Sequence, residues 1–324
     1  MIFKNSRTRP QWLSGWQWAW AIVASLFWLP LAFWGIAWDE VTRYLWLADW
    51  RAVGLAMTLF VLTTIAKTIR WRFFFPARAV KWSSLFAALA IGQAVNFMLP
   101  MRVGDVARIY VLRRREGERA ARVLGTLGAE KLIELIALVL LAAAVAPFMP
   151  WPNWLRDPSL RLSAFGLALI LLLSLIFLQQ ARLRQIAAWV AARLGFVRTE
   201  RAEQQFDLTL EGFAPLRQRQ PLILIVLWSL LVWALMIATN YALFWALPLE
   251  RSWLAATMLL LVLQVGVAVP STPGKIGVFQ YLASLTLLLF GVSRELALGY
   301  GLLLYLVVLA PQVGMALPFV WQEA

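Results

Sequence analysis

One short pattern occurs twice in this chain, each time inside an apolar stretch too long to be the core of a soluble domain. The first copy runs Gln93-Ala94-Val95-Asn96-Phe97-Met98-Leu99-Pro100-Met101-Arg102-Val103-Gly104-Asp105. The second runs Gln264-Val265-Gly266-Val267-Ala268-Val269-Pro270-Ser271-Thr272-Pro273-Gly274-Lys275. In both, a Pro follows the Gln by six or seven positions, a Gly follows four positions later, and a charge comes next. Pro and Gly at matching places in two hydrophobic halves point to broken membrane helices around a binding site.

Composition agrees. Hydrophobic residues are 62% of the 324 residues and charged residues 14%, with a mean hydropathy of +0.74, whereas soluble domains carry about 25% charge. Several apolar runs reach the roughly 20 residues needed to cross a bilayer. The 19 Trp and 19 Phe suit headgroup zones and groove walls. Cys and His are absent, which excludes disulfides, thiolate nucleophiles, His-ligated metals and His-based triads. No cofactor is expected. The net charge of +14 reads as orientation by basic cytoplasmic loops rather than as a nucleic-acid surface. The first apolar run follows Lys4, Arg7 and Arg9 with no small-residue cleavage site, and is expected to stay as an anchor with a cytoplasmic N-terminus.

The window rule places spans at about 16–38, 53–69, 123–146, 162–178, 221–247 and 296–320. The stretch 82–112 is read as a hairpin that enters from the cytoplasm and turns at Leu99-Pro100. A full crossing would carry the seven Arg between Arg102 and Arg122 to the outside and break the positive-inside pattern. With the hairpin, 21 of the 30 Lys and Arg are cytoplasmic. The stretch 253–292 is either two spans or a second hairpin from the opposite face, and the repeat favours the hairpin. The expected fold is thus all-α, a polytopic membrane protein with inverted repeats and two re-entrant helical hairpins. It forms one transmembrane domain over 1–324, with halves at about 1–178 and 221–324 and a linker at 179–220. Leu183, Ile186, Val190 and Leu194 give that linker an amphipathic surface helix, followed by a solvated loop.

Charges at membrane depth are kept for a function or a partner. Arg102, Asp105 and Arg108 surround the first break and Lys275 follows the second. Half-helices beginning near Gly104 and Gly274 would aim free amides at one cavity, and a phosphate headgroup is the natural occupant. A plainer reading pairs Arg102 with Asp105 at the interface. Glu130 and Glu134 share a helix face beside Lys131, so one is expected to meet a basic group from the hairpin; they could also hold a proton or an amino group. Lys67-Thr68-Ile69-Arg70-Trp71-Arg72 reads mostly as an interfacial stop, although Lys67 is deep enough to face the cavity. Gln93, Asn96 and Gln264 flank the breaks, while Asn240, Tyr241, Tyr281 and Gln312 suit interhelical hydrogen bonds. Gly299, Gly301 and Tyr305 form a candidate packing surface for a second copy.

Four pieces of the chain, Arg70-Trp71-Arg72, Asn96 to Arg108, Gly125 to Leu132 and Pro270 to Phe279, together resemble the transmembrane region of lysylphosphatidylglycerol synthase. The chain is similar to the flippase-like family of stand-alone membrane proteins built on that region. The resemblance implies an inverted-repeat fold and lipid movement between leaflets of a bacterial inner membrane. It implies a lipid site that includes Asn96, Arg102, Asp105, Arg108, Glu130, Thr272, Gly274 and Lys275, with Pro100, Gly104, Pro270, Pro273 and Gly277 shaping the breaks. The residue-level reading adds Lys131, Glu134 and Gln264. The family motif more often has Gly-Gly where this chain has Gly274-Lys275. No synthase domain follows residue 324, so lipid aminoacylation is not expected. The leading expectation is a non-enzymatic lipid transporter whose partner is a membrane lipid. An intramembrane headgroup transferase using Asp105 or Glu130, and a scaffold acting through another protein, are the alternatives.

Overall fold

The computed structural model describes residues 27–75, 80–99, 103–149, 166, 199–266 and 272–323, with backbone alone at 199–203, 273 and 323. Every regular element among them is helical: α1 (Trp38–Trp46), α2 (Trp50–Arg72), α3 (Trp82–Met98), α4 (Gly104–Glu116), α5 (Ala120–Val145), α6 (Thr199–Glu211), α7 (Arg219–Leu243), α8 (Trp253–Gly266), α9 (Val278–Leu288) and α10 (Arg294–Glu323). Four stretches are long and apolar enough to cross a membrane: Trp50–Arg72, Ala120–Phe148, Arg219–Ala246 and Arg294–Gln322. They coincide with the spans expected at 53–69, 123–146, 221–247 and 296–320. This is a multi-pass helical membrane protein. Of the span expected at 16–38, residues 27–33 are helical and the part before residue 27 lies outside the described residues. The expected span 162–178 and the amphipathic helix of the linker, except for Gly166, also lie outside them.

The remaining apolar helices are short. At about 1.5 Å per residue, the 17 residues of α3 span roughly 25 Å, less than the ~30 Å of a hydrocarbon core. α3 and α4 lie antiparallel. Ser84 at the start of α3 hydrogen-bonds Glu116 at the end of α4, and at the other end Asn96 Oδ1 accepts the Gly104 N–H at 2.7 Å. Between them the backbones almost touch, since a Cβ on Gly104 would sit 1.9 Å from the Gly92 carbonyl oxygen. Only glycine allows that approach.

α8 and α9 form the corresponding pair in the second half, with Gly266 against Leu282. The helix expected to begin near Gly274 begins instead at Val278. The reason is local: Gly274 (φ +69°), Lys275 (φ +59°) and Gly277 (φ +89°) are all left-handed, a conformation that cannot propagate a right-handed helix. α2, α7, α8, α9 and α10 bury one apolar core around Phe244, Leu259 and Tyr300. The end of α2 with α3, α4 and α5 buries a second around Trp71, Leu85 and Leu112.

Two expectations are corrected. The segment before residue 220, read as a solvated loop, holds α6, which packs on α5 through glycine: a Cβ on Gly125 would lie 2.0 Å from the Thr209 carbonyl, and Phe213 covers Gly128. Arg122 adds a 2.7 Å pair to Glu211. Gly301 and Tyr305 are spent inside the chain, Gly301 against Ala283 and Gln280 of α9 and Tyr305 on the Gly274 carbonyl at 2.8 Å.

Gly104→Ala should lower the melting temperature in detergent by overpacking the hairpin, a cost of about 1–3 kcal/mol or more. Gly54→Ala, where no atom lies within 4 Å of the added Cβ, should be neutral or stabilising by about 1 kcal/mol. Equal melting temperatures for the two variants would refute the close hairpin contact.

Candidate functional site

Two spans and the first hairpin converge on a buried ion network. α2 contributes Arg70, α5 contributes Glu130 and Glu134, and α4 contributes Arg108. One Arg70 amino group lies 2.8 Å from Glu130 Oε1 and 2.9 Å from Glu134 Oε1. Arg108 reaches Glu130 Oε2 at 2.7 Å, and Lys131 closes on Glu134 Oε2 at 2.9 Å. Arg70 is 0% exposed, Glu130 2% and Arg108 4%. At that burial each charge depends on its partner, because an unpaired one would suffer several kcal/mol of desolvation. Trp71 supports the network on both sides. Its ring carries the Arg108 guanidinium 3.9 Å from the centroid, and its indole N–H donates to Thr126 at 3.2 Å.

The expectation that Glu130 or Glu134 meets a basic group from the hairpin is met by Arg108. The reading of Arg70 as an interfacial stop is corrected: two carboxylates one turn apart on α5 draw it into the protein. Its distance of sixty residues from Glu130 is why the local sequence hid the pairing.

A cavity of about 280 Å³ opens beside this network. Asn96, Asp105, Arg108, Glu130, Lys131, Glu134, Gln264 and Lys275 all line it. The sequence-derived site therefore comes together at one place although its residues span both halves. Apolar side chains line it too, among them Met236, Leu260, Leu263, Leu304 and Val308. Asp105 takes a 3.4 Å contact from the Asn96 amide and sits 4.0 Å from Arg108. Lys275 reaches over the Phe97 ring, 5.3 Å from its centroid, so the second break meets the tip of the first hairpin.

Other expected site residues have structural duties. The buried Thr272 donates its hydroxyl to the Ile276 carbonyl at 2.5 Å, and its backbone carbonyl accepts the Lys275 N–H at 2.8 Å. Gly274 supplies the left-handed turn, and Gly277 donates its N–H to Gln280 Oε1 at 2.8 Å. Gly104 permits the hairpin contact. Arg102, Pro100 and Pro270 lie outside the described residues, as does the expected Arg102–Asp105 pair; Pro273 opens the short turn Pro273–Lys275. Because Asn96 and Gln280 already occupy amides at the two helix starts, anion attraction in the cavity falls chiefly to side chains.

Lys67, read as deep enough to face the cavity, does line it, and Thr63, Thr64, Asn240 and Gln312, which the motif reading did not place in the site, line it as well. Asn240 donates to the Ala256 carbonyl at 3.3 Å and its own carbonyl accepts from Tyr300. Gln312 is buried with Oε1 unpartnered among the described residues. The one available signal was helical spacing: Phe60, Thr63, Thr64 and Lys67 make an i, i+3, i+4, i+7 stripe on α2.

The model of the lysylphosphatidylglycerol synthase TM region matches residues 16–315. The chain belongs to that family. The match takes in both broken segments and every residue of the ion network, and the family's membrane-lipid connection agrees with the site's depth in a helical bundle. No curated protein and no solved structure matches the chain.

Glu130→Ala leaves two buried guanidinium groups without their shared carboxylate and should destabilise the protein by about 3–5 kcal/mol. Glu134→Ala should cost less, since its side chain is 24% exposed and solvent screens the loss. Thermal unfolding of both variants in one detergent checks the order, and a reversed order would sink the assignment of Glu130 as the hub.

Proposed function

We propose that the chain is a lipid transporter of the bacterial inner membrane that moves a phosphate-bearing lipid between leaflets, with the headgroup held in the cavity between two broken helices. The observation that carries this reading is charge at depth. Lys67, Arg108, Lys131 and Lys275 line the cavity with Asp105, Glu130 and Glu134, and Arg70 stands behind them. Even with Lys275 set aside, four cations thus face three carboxylates among the described residues, an excess that an anionic headgroup would balance. The apolar part of the lining is suited to the start of an acyl chain.

In this reading α3–α4 and α8–α9 are re-entrant hairpins of an inverted repeat. α3–α4 opens from the end where Arg113, Arg114 and Arg115 lie, taken as cytoplasmic. α8–α9 opens from the end where Tyr241 stacks on Trp253 at 3.8 Å. Their breaks approach each other at Phe97 and Lys275. Membership of the family supports the lipid connection. Transport leaves the lipid chemically unchanged, so no catalytic residue is assigned, and the expected N-terminus remains cytoplasmic.

Lys275 is the residue to test. It is held at φ +59°, the only non-glycine at positive φ among the described residues, where an L side chain costs roughly 1–2 kcal/mol. Strain of this kind is retained where the side chain is used. Lys275→Gly should therefore keep or raise the melting temperature while slowing leaflet exchange of dye-labelled anionic phospholipid in proteoliposomes by about tenfold or more, the effect of one lost charged contact. Unchanged exchange in Lys275→Gly would remove Lys275 from the site. No exchange of any lipid by the parent protein would defeat the transport reading, and a new lipid product by mass spectrometry would favour the headgroup transferase.

A further inference from the structure

The carboxylates of the network are full. Glu130 gives Oε1 to Arg70 and Oε2 to Arg108, and Glu134 gives Oε1 to Arg70 and Oε2 to Lys131. Asp105 is turned to Asn96 and Arg108. Lys67, one turn before Arg70 on the same helix, lines the cavity yet has no hydrogen bond or ion pair within bonding distance among the described residues. The charges acting on it are Glu134 and Glu130, which attract it, and Arg70 and Lys131, which repel it. An ammonium inside a spanning helix costs at least about 2.5 kcal/mol unless something balances it. Snorkelling to the interface is the usual relief, but this side chain lines the cavity together with Gln93 and Asn96.

We propose that Lys67 is an anion-contacting residue of the cavity, beside Lys275, and that the site takes a single phosphate group. The inference rests on the transport reading for its lipid source but not for its chemistry. An ammonium binds a phosphate oxygen as a compact point charge. Gln93, whose Oε1 is 3.5 Å from the Thr64 hydroxyl, has amide hydrogens to offer beside it, and charge-assisted bonds of this kind are the strong ones. A space of about 280 Å³ admits one compact headgroup rather than a glycan chain. The phosphate could belong to a lipid or be free in solution.

The test uses the full chain in detergent. Binding is measured for dihexanoyl phosphatidic acid, for the matching dihexanoyl glycerol, and for inorganic phosphate as competitor, with the parent protein, Lys67→Met and Lys67→Arg. The parent should prefer the phosphate-bearing lipid. Lys67→Met should weaken that binding by about tenfold to a hundredfold, leave the glycerol lipid unaffected, and melt at or above the parent without lipid because an uncompensated charge has gone. Lys67→Arg should restore most of the preference. Displacement by inorganic phosphate would make free phosphate an occupant in its own right, and a lack of displacement would assign the site to lipid. Equal phosphatidic acid binding by the parent and Lys67→Met would overturn the role of Lys67 while leaving transport untouched. A drop in lipid-free melting temperature for Lys67→Met would likewise overturn it, as a structural lysine. Absent leaflet exchange with intact, Lys67-dependent binding would instead overturn the transport reading alone.

Discussion

The ion network joining Arg70, Glu130, Arg108, Glu134 and Lys131 is the constraint to which the rest of this structure conforms. None of these charges could be placed alone inside a helical bundle at bilayer depth. Arg70 fixes the rotation of α2 against α5, and Arg108 fixes the height of α4. The first hairpin, held internally by glycine contact and by Asn96, then carries its tip to the same level. The cavity exists because these charged groups meet before the apolar surfaces close.

The two breaks are built differently for that shared place. At the first, a helix begins at Gly104 and its amide is taken by Asn96 from the opposite arm of the hairpin. At the second, left-handed residues delay the helix to Val278, and Tyr305 of α10 holds the Gly274 carbonyl. The repeated Pro and Gly pattern thus yields an abrupt start in one half and a wound turn in the other. Lys275 belongs to the turn and stands over the Phe97 ring.

Much of this was legible in the sequence. Four spans were readable because runs of apolar residues near 20 long have no other home. Of the residues that line the cavity, Asn96, Asp105, Arg108, Gln264 and Lys275 were singled out because they flank the breaks, and Glu130, Lys131 and Glu134 because charges inside a span need partners. Arg70 was misread, since its position at a helix end also fits an interfacial anchor and its partners lie far along the chain. α6 was hidden because its contacts with α5, Gly125 against the Thr209 carbonyl and Arg122 against Glu211, join residues more than eighty positions apart. Thr272 entered the expected site through the family resemblance alone, and its hydroxyl locks the turn onto the Ile276 carbonyl, a duty that the string of letters does not separate from ligand binding.

The contact between Gly92 and Gly104 has a consequence for how the protein is put together. It closes over a dozen residues, so little chain entropy opposes it, and local contacts of this sort form early. The hairpin can therefore be a finished unit while α5 is still being synthesised. Until Glu130 arrives, Arg108 has Asp105 as its carboxylate neighbour at 4.0 Å, and Arg70 waits for the same residue from α2. Insertion of α5 is then the event that neutralises both arginines, which makes it the commitment step of biogenesis.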